Sequence, residues 1–260
     1  MNDIQRKIAE GGWLHLFLDY DGTLVPIRKL PQKAILQPAH RNLLKHLSQN
    51  AFVCIVTGRS LDDIKRLVAL ENIAYIGNHG LEVCWGHKSW VHPQAIKNRG
   101  ALKILLSEIE KTTAHFHHLM VEDKGITASL HFRRMDPTLV PILQKIVEDA
   151  VHRNCQRFLL AEGKKVLEIR PNLRWDKGKG IRKLQRWVPR GDSPLAVYIG
   201  DDQTDEDAFQ ALNRKAITIH VGCKKDSLAR YRVANVDQVW SFLKEIRHSL
   251  SLSDCRKIVG

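Results

Sequence analysis

Four short stretches carry residues whose types and spacing suit chemistry. Asp19 and Asp21 stand at i and i+2, directly after an apolar run and before Gly22-Thr23. Alternate side chains of an extended strand point the same way, so the two carboxylates lie close at its end. Like charges that close are costly unless a proton or a cation resolves them. A hard divalent cation such as Mg2+ does so, since it prefers carboxylate oxygens, water and phosphate. Thr57-Gly58-Arg59 offers a hydroxyl and backbone amides able to hold phosphoryl oxygens. Lys177, in Asp176-Lys177-Gly178-Lys179-Gly180, can offset the charge of an anionic nucleophile and a phosphate. Gly200-Asp201-Asp202-Gln203-Thr204-Asp205-Glu206-Asp207 sets five carboxylates together, and so acidic a loop in a basic protein suggests metal binding. Each stretch alone has an ordinary explanation. The first reads as an Asp-Gly turn with a capping aspartate, Thr57 as a helix cap and Lys177 as a solvated loop lysine. The acids read as helix N-terminal residues.

The elements around these residues give them a common place. Trp13–Leu18 runs into Asp19, Phe52–Val56 into Thr57, and Leu195–Ile199 into Gly200-Asp201. Continuous apolar runs of this length suit strands buried on both faces, as in a parallel sheet covered by helices. Leu43, Leu44 and Leu47 share one helical face, as do Ile64, Leu67 and Val68, and Ser60 followed by Asp63 resembles an N-cap. In open sheets of this kind reactive groups gather beyond the carboxyl ends of the strands. From about His87 to Arg170 the pattern changes to hairpin-like alternation. One hairpin strand is expected over Ile126–Phe132 after a Lys124-Gly125 turn, and another pair flanks Gly163. Two amphipathic helices interleave, through Leu102, Leu105, Leu106 and Ile109 and through Leu139, Ile142, Leu143, Ile146 and Val147. The expected fold is α/β: a Rossmann-like parallel-sheet core with helices on both faces, formed by residues 1–86 and 173–260. A small α+β insert would occupy residues 87–172.

Composition excludes other classes. At 43% hydrophobic and 27% charged, the 260-residue chain reads as globular. No apolar run is long enough to span a bilayer, and Trp13–Leu18 is too short and too polar at its end for a signal peptide. Five scattered cysteines without a Cys-x-x-Cys pair argue for reduced thiols and a cytoplasmic chain, with Cys54 a buried small hydrophobe. The net charge of +13 attracts anions, whether nucleic acid, anionic membrane or a small phosphorylated substrate. The basic stretch from Arg170 to Arg190 lacks interleaved aromatics and matches no DNA-reading motif, so no nucleic-acid partner is expected. His115, His117 and His118 have no matching acids nearby and read as a solvated helix end.

In this order, the Asp-x-Asp-Gly-Thr loop, the threonine after a second strand, the lysine and the paired-acid loop resemble the haloacid dehalogenase superfamily. Gly77-Asn78-His79-Gly80-Leu81-Glu82, followed by an insert before Lys177, resembles its subgroup with an α+β cap. Within it, Leu18–Leu24, Thr57–Leu61, His79–Glu82, Glu168-Ile169-Arg170-Pro171 and Gly200–Phe209 are similar to the trehalose-6-phosphate phosphatases, as are Glu122-Asp123-Lys124-Gly125 and His131-Phe132-Arg133. The resemblance implies that Asp19 is the nucleophile and Asp21 the general acid and base. It implies Mg2+ held by Asp19, the Asp21 carbonyl and Asp201, with Asp202 and Asp205 behind them. Thr57 and Lys177 would hold the phosphoryl oxygens, with Gly58 and Arg59 beside them. The cap, through Lys124, His131, Arg133 and Glu168, would read a sugar phosphate. Lys124 as a plain turn residue and His131 as a paired strand residue stay open, as do sucrose-phosphate and glycosyl-glycerate phosphate as substrates. A monomer with no membrane partner is expected.

Overall fold

The computed structural model describes residues 13–188, 194–212, 216–223 and 226–258, with side chains described to residue 251. The chain forms two compact units, Met1–Trp90 with Trp175–Gly260, and Val91–Arg174. The first begins with β1 (Leu14–Leu18), buried at every position. Helix α1 (Pro38–Asn50) opens on a proline, whose missing N–H costs nothing there, and buries Leu43, Leu44 and Leu47. After β2 (Phe52–Val56) the Ser60 hydroxyl caps α2 (Leu61–Val68) by accepting from the Asp63 N–H. Next come β3 (Ala74–Gly77), β4 (Glu82–Trp85) and β5 (Lys88–Val91), the last two joined by a two-residue turn with Gly86 at φ +57°.

The second unit holds α3 (Pro93–Lys97), α4 (Arg99–Thr113), β6 (Met120–Asp123), β7 (Ala128–His131), α5 (Val140–His152), β8 (Phe158–Gly163) and β9 (Val166–Pro171). Its strands make one antiparallel sheet in the order β6-β7-β9-β8. Leu102, Leu105, Leu106 and Ile109 of α4 pack with Leu143 and Val147 of α5 over Ala128, Leu130, Leu167 and Ile169. The β7 strand is shorter than the expected run from Ile126. Ile142, expected on the buried face, is 51% exposed. The buried stripe is Leu143, Val147, Ala150 and Val151, and a residue one step before it points about a quarter-turn away.

The chain then returns to the first unit through α6 (Lys177–Gln185), β10 (Leu195–Gly200), α7 (Gln203–Leu212), β11 (Ala216–Val221), β12 (Tyr231–Val233) and α8 (Val236–Ile258). The large sheet has the order β12-β11-β10-β1-β2-β3-β4-β5, parallel from β12 to β3, with β4 antiparallel to β3. Leu14, Leu16 and Leu18 pack with Leu43, Ile64 and Leu243 on one face. Phe17, Cys54 and Tyr198 pack with Ile181, Leu184 and Phe209 on the other. Each such side chain contributes roughly 1.5–3 kcal/mol on burial. That two-sided core holds the strand ends rigidly. The chain winds one way from β1 to β3 and the other way from β1 to β10 and β11, so the order reverses between β1 and β10. A crevice outside the carboxyl ends at such a reversal is where ligands bind in open α/β sheets.

Candidate active site

Asp19 follows β1 at this reversal. Its N–H donates to the Ile199 carbonyl at 2.9 Å, which carries the ladder one residue past the strand and leaves the side chain at its end. Lys177 is the first residue of α6, capped by the Asp176 carboxylate accepting from Lys179 N–H at 2.8 Å. A cation faces an unfavourable dipole at a helix N-terminus. Two carboxylates compensate: the Lys177 Nζ donates to Asp19 Oδ1 at 2.8 Å and to Asp205 Oδ1 at 2.7 Å. Burial alone would lower this amine's pKa, but Asp19 and Asp205 hold it well above its ordinary value, so it stays charged. Asp205 is fully buried and also accepts from the Tyr198 hydroxyl at 2.6 Å and the Asp202 N–H at 2.9 Å. Tyr198 was not expected from sequence. Its one visible signal is a hydroxyl inside an otherwise apolar strand.

Asp19, Asp201 and Asp205 each offer an oxygen within 4.8 Å of the others. The loop after Asp21 lies directly on Asp201, where a Cβ at Gly22 would come within 2.3 Å of the carboxylate. Burial pushes the Asp19 carboxyl up; Lys177 pulls it down, and Asp205 and Asp201 push it up again. One lysine does not balance three carboxylates, and oxygen donors with surplus negative charge are what a hard divalent cation takes. The cluster therefore fits such an ion. Its side-chain donors are the expected Asp19 and Asp201 together with Asp205, and Asp202 serves Asp205 through its backbone.

The Asp21 carboxylate points to Arg59 instead. Arg59 Nε donates to Asp21 Oδ2 at 2.6 Å and Nη2 to Asp21 Oδ1 at 2.8 Å. Its Nη1 donates to Asp63 Oδ2 at 2.6 Å, and Nη2 also to the Pro31 carbonyl at 2.9 Å. Arg59, expected beside the substrate, is thus engaged with protein groups. Thr57 is buried; its N–H donates to Ile76 O, and its hydroxyl accepts from the Arg59 N–H at 3.2 Å. Gly58 lies under His79, whose ring a Cβ there would meet at 2.4 Å. Asn78, His79 and Gly80 all have positive φ, and this tight turn is tied down by Glu82, which accepts from Asn78 Nδ2 and from the Leu61 N–H, both at 2.9 Å. Gly80 in turn abuts the residues before α6: its carbonyl accepts from Trp175 Nε1 at 2.7 Å, and a Cβ on it would meet the Asp176 carbonyl at 2.3 Å. None of these supports for the Lys177 helix was evident from residue types alone.

In the second unit, Glu122, Ser129 and Glu168 are cross-strand neighbours. They lie on the sheet face away from α4 and α5, and His131 shares that face. Lys124 Nζ is 3.7 Å from Glu168 Oε1, and His131 Nε2 is 2.9 Å from Glu122 Oε2. Glu168 also pairs with Arg170. Lys124 forms the turn as well, its N–H donating to the Thr127 carbonyl. The structure brings Lys124, His131 and Glu168 together on this polar sheet. Arg133 is exposed and donates to the Lys164 carbonyl in the β8–β9 turn. His115, His117 and His118 are exposed just past α4, and among the described residues Asp19, Asp201 and Asp205 form the one metal-competent group. Cys54 is buried as expected; the Cys255 side chain and Arg190 lie outside the described residues.

Known proteins resemble this chain over most of its length. Trehalose-phosphate phosphatase B of Arabidopsis thaliana is 32% identical over 252 residues, covering 92% of this chain and 67% of that protein. Probable trehalose-phosphate phosphatase 4 of Oryza sativa subsp. japonica is 34% identical, covering 90% of this chain and 66% of that protein. The chain thus spans about two thirds of the length of these plant proteins. The crystal structure of a trehalose-6-phosphate phosphatase related protein superposes with a TM-score of 0.80 at 28% identity, covering 90% of this chain and 97% of that one. The trehalose-phosphatase family model matches residues 17–237, a span that takes in every side chain placed above from Asp19 to Asp205. The chain belongs to the trehalose-phosphatase family.

Proposed function

We propose that this chain hydrolyses trehalose 6-phosphate to trehalose and phosphate through an aspartyl phosphate on Asp19. The observation that carries this reading is the buried Asp19 carboxylate, bonded to the charged Lys177 and grouped with Asp201 and Asp205 at the sheet's reversal point. An Asp19 oxygen attacks phosphorus, the bond to the sugar oxygen breaks, and Asp21 donates its proton to that oxygen. Asp21 then takes a proton from the water that cleaves the aspartyl phosphate, releasing phosphate and restoring Asp19. Lys177 and Thr57 hold phosphoryl oxygens, and fixed charge supplies most of the acceleration, as in phosphoryl transfer generally. Mg2+ held by Asp19, the Asp21 carbonyl and Asp201, with Asp205 and Asp202 behind, would neutralise phosphoryl charge.

The polar sheet of the 91–174 unit, carrying Lys124, His131 and Glu168, is the sugar-reading surface in this account. Several oriented polar groups are what a polyhydroxylated ligand needs. Among the described residues no helix is long and apolar enough to cross a membrane. We take the enzyme to act in the cytoplasm. We take it to act as a monomer without a nucleic-acid partner. The test is phosphate release from a panel of sugar phosphates, with and without Mg2+. Trehalose 6-phosphate is expected to be strongly preferred, release to need Mg2+, and Asp19→Asn to be nearly inactive. Equal turnover of sucrose 6-phosphate or a glycosyl-glycerate phosphate would overturn the substrate assignment. Full activity of Asp19→Asn would overturn the mechanism.

A further inference from the structure

The geometry points to Arg59 as a positioning residue for Asp21, itself locked by Asp63 and the Pro31 carbonyl, and not as a ligand of the substrate's phosphate. This inference rests on the reading of Asp21 as the proton donor. Four of the five N–H groups of a guanidinium are used within the protein here: two on the Asp21 carboxylate, one on Asp63 and one on Pro31. The fork meets Asp21 through both oxygens, which fixes the plane of the carboxylate as well as its distance. Exposure separates the two partners: the Arg59 side chain is 9% exposed and that of Asp21 36%. The carboxylate is the part a substrate reaches, and the guanidinium stands behind it.

Three segments meet at Arg59. Asp21 lies in the loop after β1, Pro31 in a short helical turn beyond it, and Asp63 in the first turn of α2. The Arg59 Cζ also lies 5.6 Å from the ring centroid of Tyr20, which is fully buried and anchored by its hydroxyl on the Ala34 carbonyl. Asp63 is held in turn by its N–H on Ser60 and by Arg66 at 2.6 Å. Such a chain of contacts leaves Asp21 little freedom to swing from the line of the leaving oxygen. Proton transfer depends on that alignment to within a few tenths of an ångström.

A proton donor matters most when the leaving group is poor. A sugar 6-oxygen leaves as an alkoxide unless protonated, whereas p-nitrophenolate leaves without help. Arg59→Lys, which keeps the charge but cannot grip both oxygens, and Asp63→Asn, which loosens the lock from outside the site, are therefore compared on trehalose 6-phosphate and p-nitrophenyl phosphate by the first-turnover burst of leaving-group release, which precedes the hydrolysis step common to both esters. The expected result is a burst rate on the sugar ester lowered about 10–100-fold, with the aryl burst rate and inhibition by inorganic phosphate changed less than about threefold. The aryl rate also reports the folded fraction, so a merely structural defect lowers both esters together. Equal losses on both esters overturn the inference. So does a raised KM and weaker phosphate inhibition with kcat intact, which would make Arg59 a phosphate ligand. Asp21→Asn serves as the control: if it impairs both esters equally, the reading of Asp21 falls and the inference with it. Selective loss in Asp21→Asn with equal losses in the other two overturns the inference alone.

Discussion

Lys177 is the residue on which the charge balance of the site turns. Its ammonium is buried between Asp19 and Asp205, and removing one partner from a buried ion pair strands the others. Lys177→Met is expected to destabilise the metal-free protein by about 3–5 kcal/mol. Part of this should return on adding Mg2+, which restores positive charge to the same carboxylates. Urea unfolding with and without the ion checks it, and an equal loss in both conditions counts against the acidic cluster as the metal site. Asp19 sets the pH dependence. Burial raises its pKa, with Asp205 and Asp201 adding to the effect and Lys177 opposing it. A raised carboxyl pKa means that the folded, metal-free protein holds this proton more tightly than the unfolded chain. Stability therefore falls as pH rises from the unfolded value of about 3.9 through the raised one. A cation displaces that proton, so Mg2+ affinity should weaken as pH falls through the raised pKa, measured by calorimetric titration across pH. An affinity flat with pH would contradict the shift.

At the scale of elements, the turn Asn78–Gly80 positions helix α6 and with it Lys177. Gly80 has φ +98°, and a Cβ there would press on the Asp176 carbonyl, one residue before the lysine. Gly180, one turn into the helix, packs its own Cα face against Gly80, where a Cβ would meet the Gly80 Cα at 2.7 Å. Gly80→Ala is expected to cost about 1–3 kcal/mol from crowding, and to lower kcat more than tenfold by shifting the lysine. A thermal melt and steady-state kinetics check it; wild-type kcat in a folded variant would show that the turn does not set the lysine's position. Strands were the most legible elements. Trp13–Leu18, Phe52–Val56 and Leu195–Ile199 read as buried strands because both sheet faces are covered, and each ends within a residue of its observed end. The phase of α5 was not legible, since Ile142 and Leu143 are equally apolar and only the sheet beneath decides which is buried. The partners of Arg59 were hidden for a related reason. Its position after Thr57-Gly58 shows that it is near the site, but only the fold brings Asp63 and Pro31 around it.

For the whole molecule, the net charge of +13 becomes a statement about encounter. Sequence-specific nucleic-acid binding needs a base-reading motif as well as charge, and the sequence matches none. A dianionic sugar phosphate needs only the field. kcat/KM should therefore fall as KCl is raised from low to physiological strength, while kcat at saturation stays level. Salt-independent kcat/KM would show that the surplus charge lies away from the approach. The four chemical stretches are scattered from Asp19 to Asp207, and what unites them is the reversal of strand order around β1. The place of three of them at strand ends was legible in the sequence; the reversal itself, and the bonds among Lys177, Asp19, Asp205 and Tyr198, required coordinates.

All of this depends on Asp19 becoming phosphorylated. The enzyme quenched during turnover of trehalose 6-phosphate and reduced with borohydride should carry homoserine at position 19, located by peptide mass spectrometry, since hydride reduces an acyl phosphate and spares a free carboxylate. Modification at Asp21 or Asp201, or none at any carboxylate under steady turnover, would contradict the nucleophile assigned here.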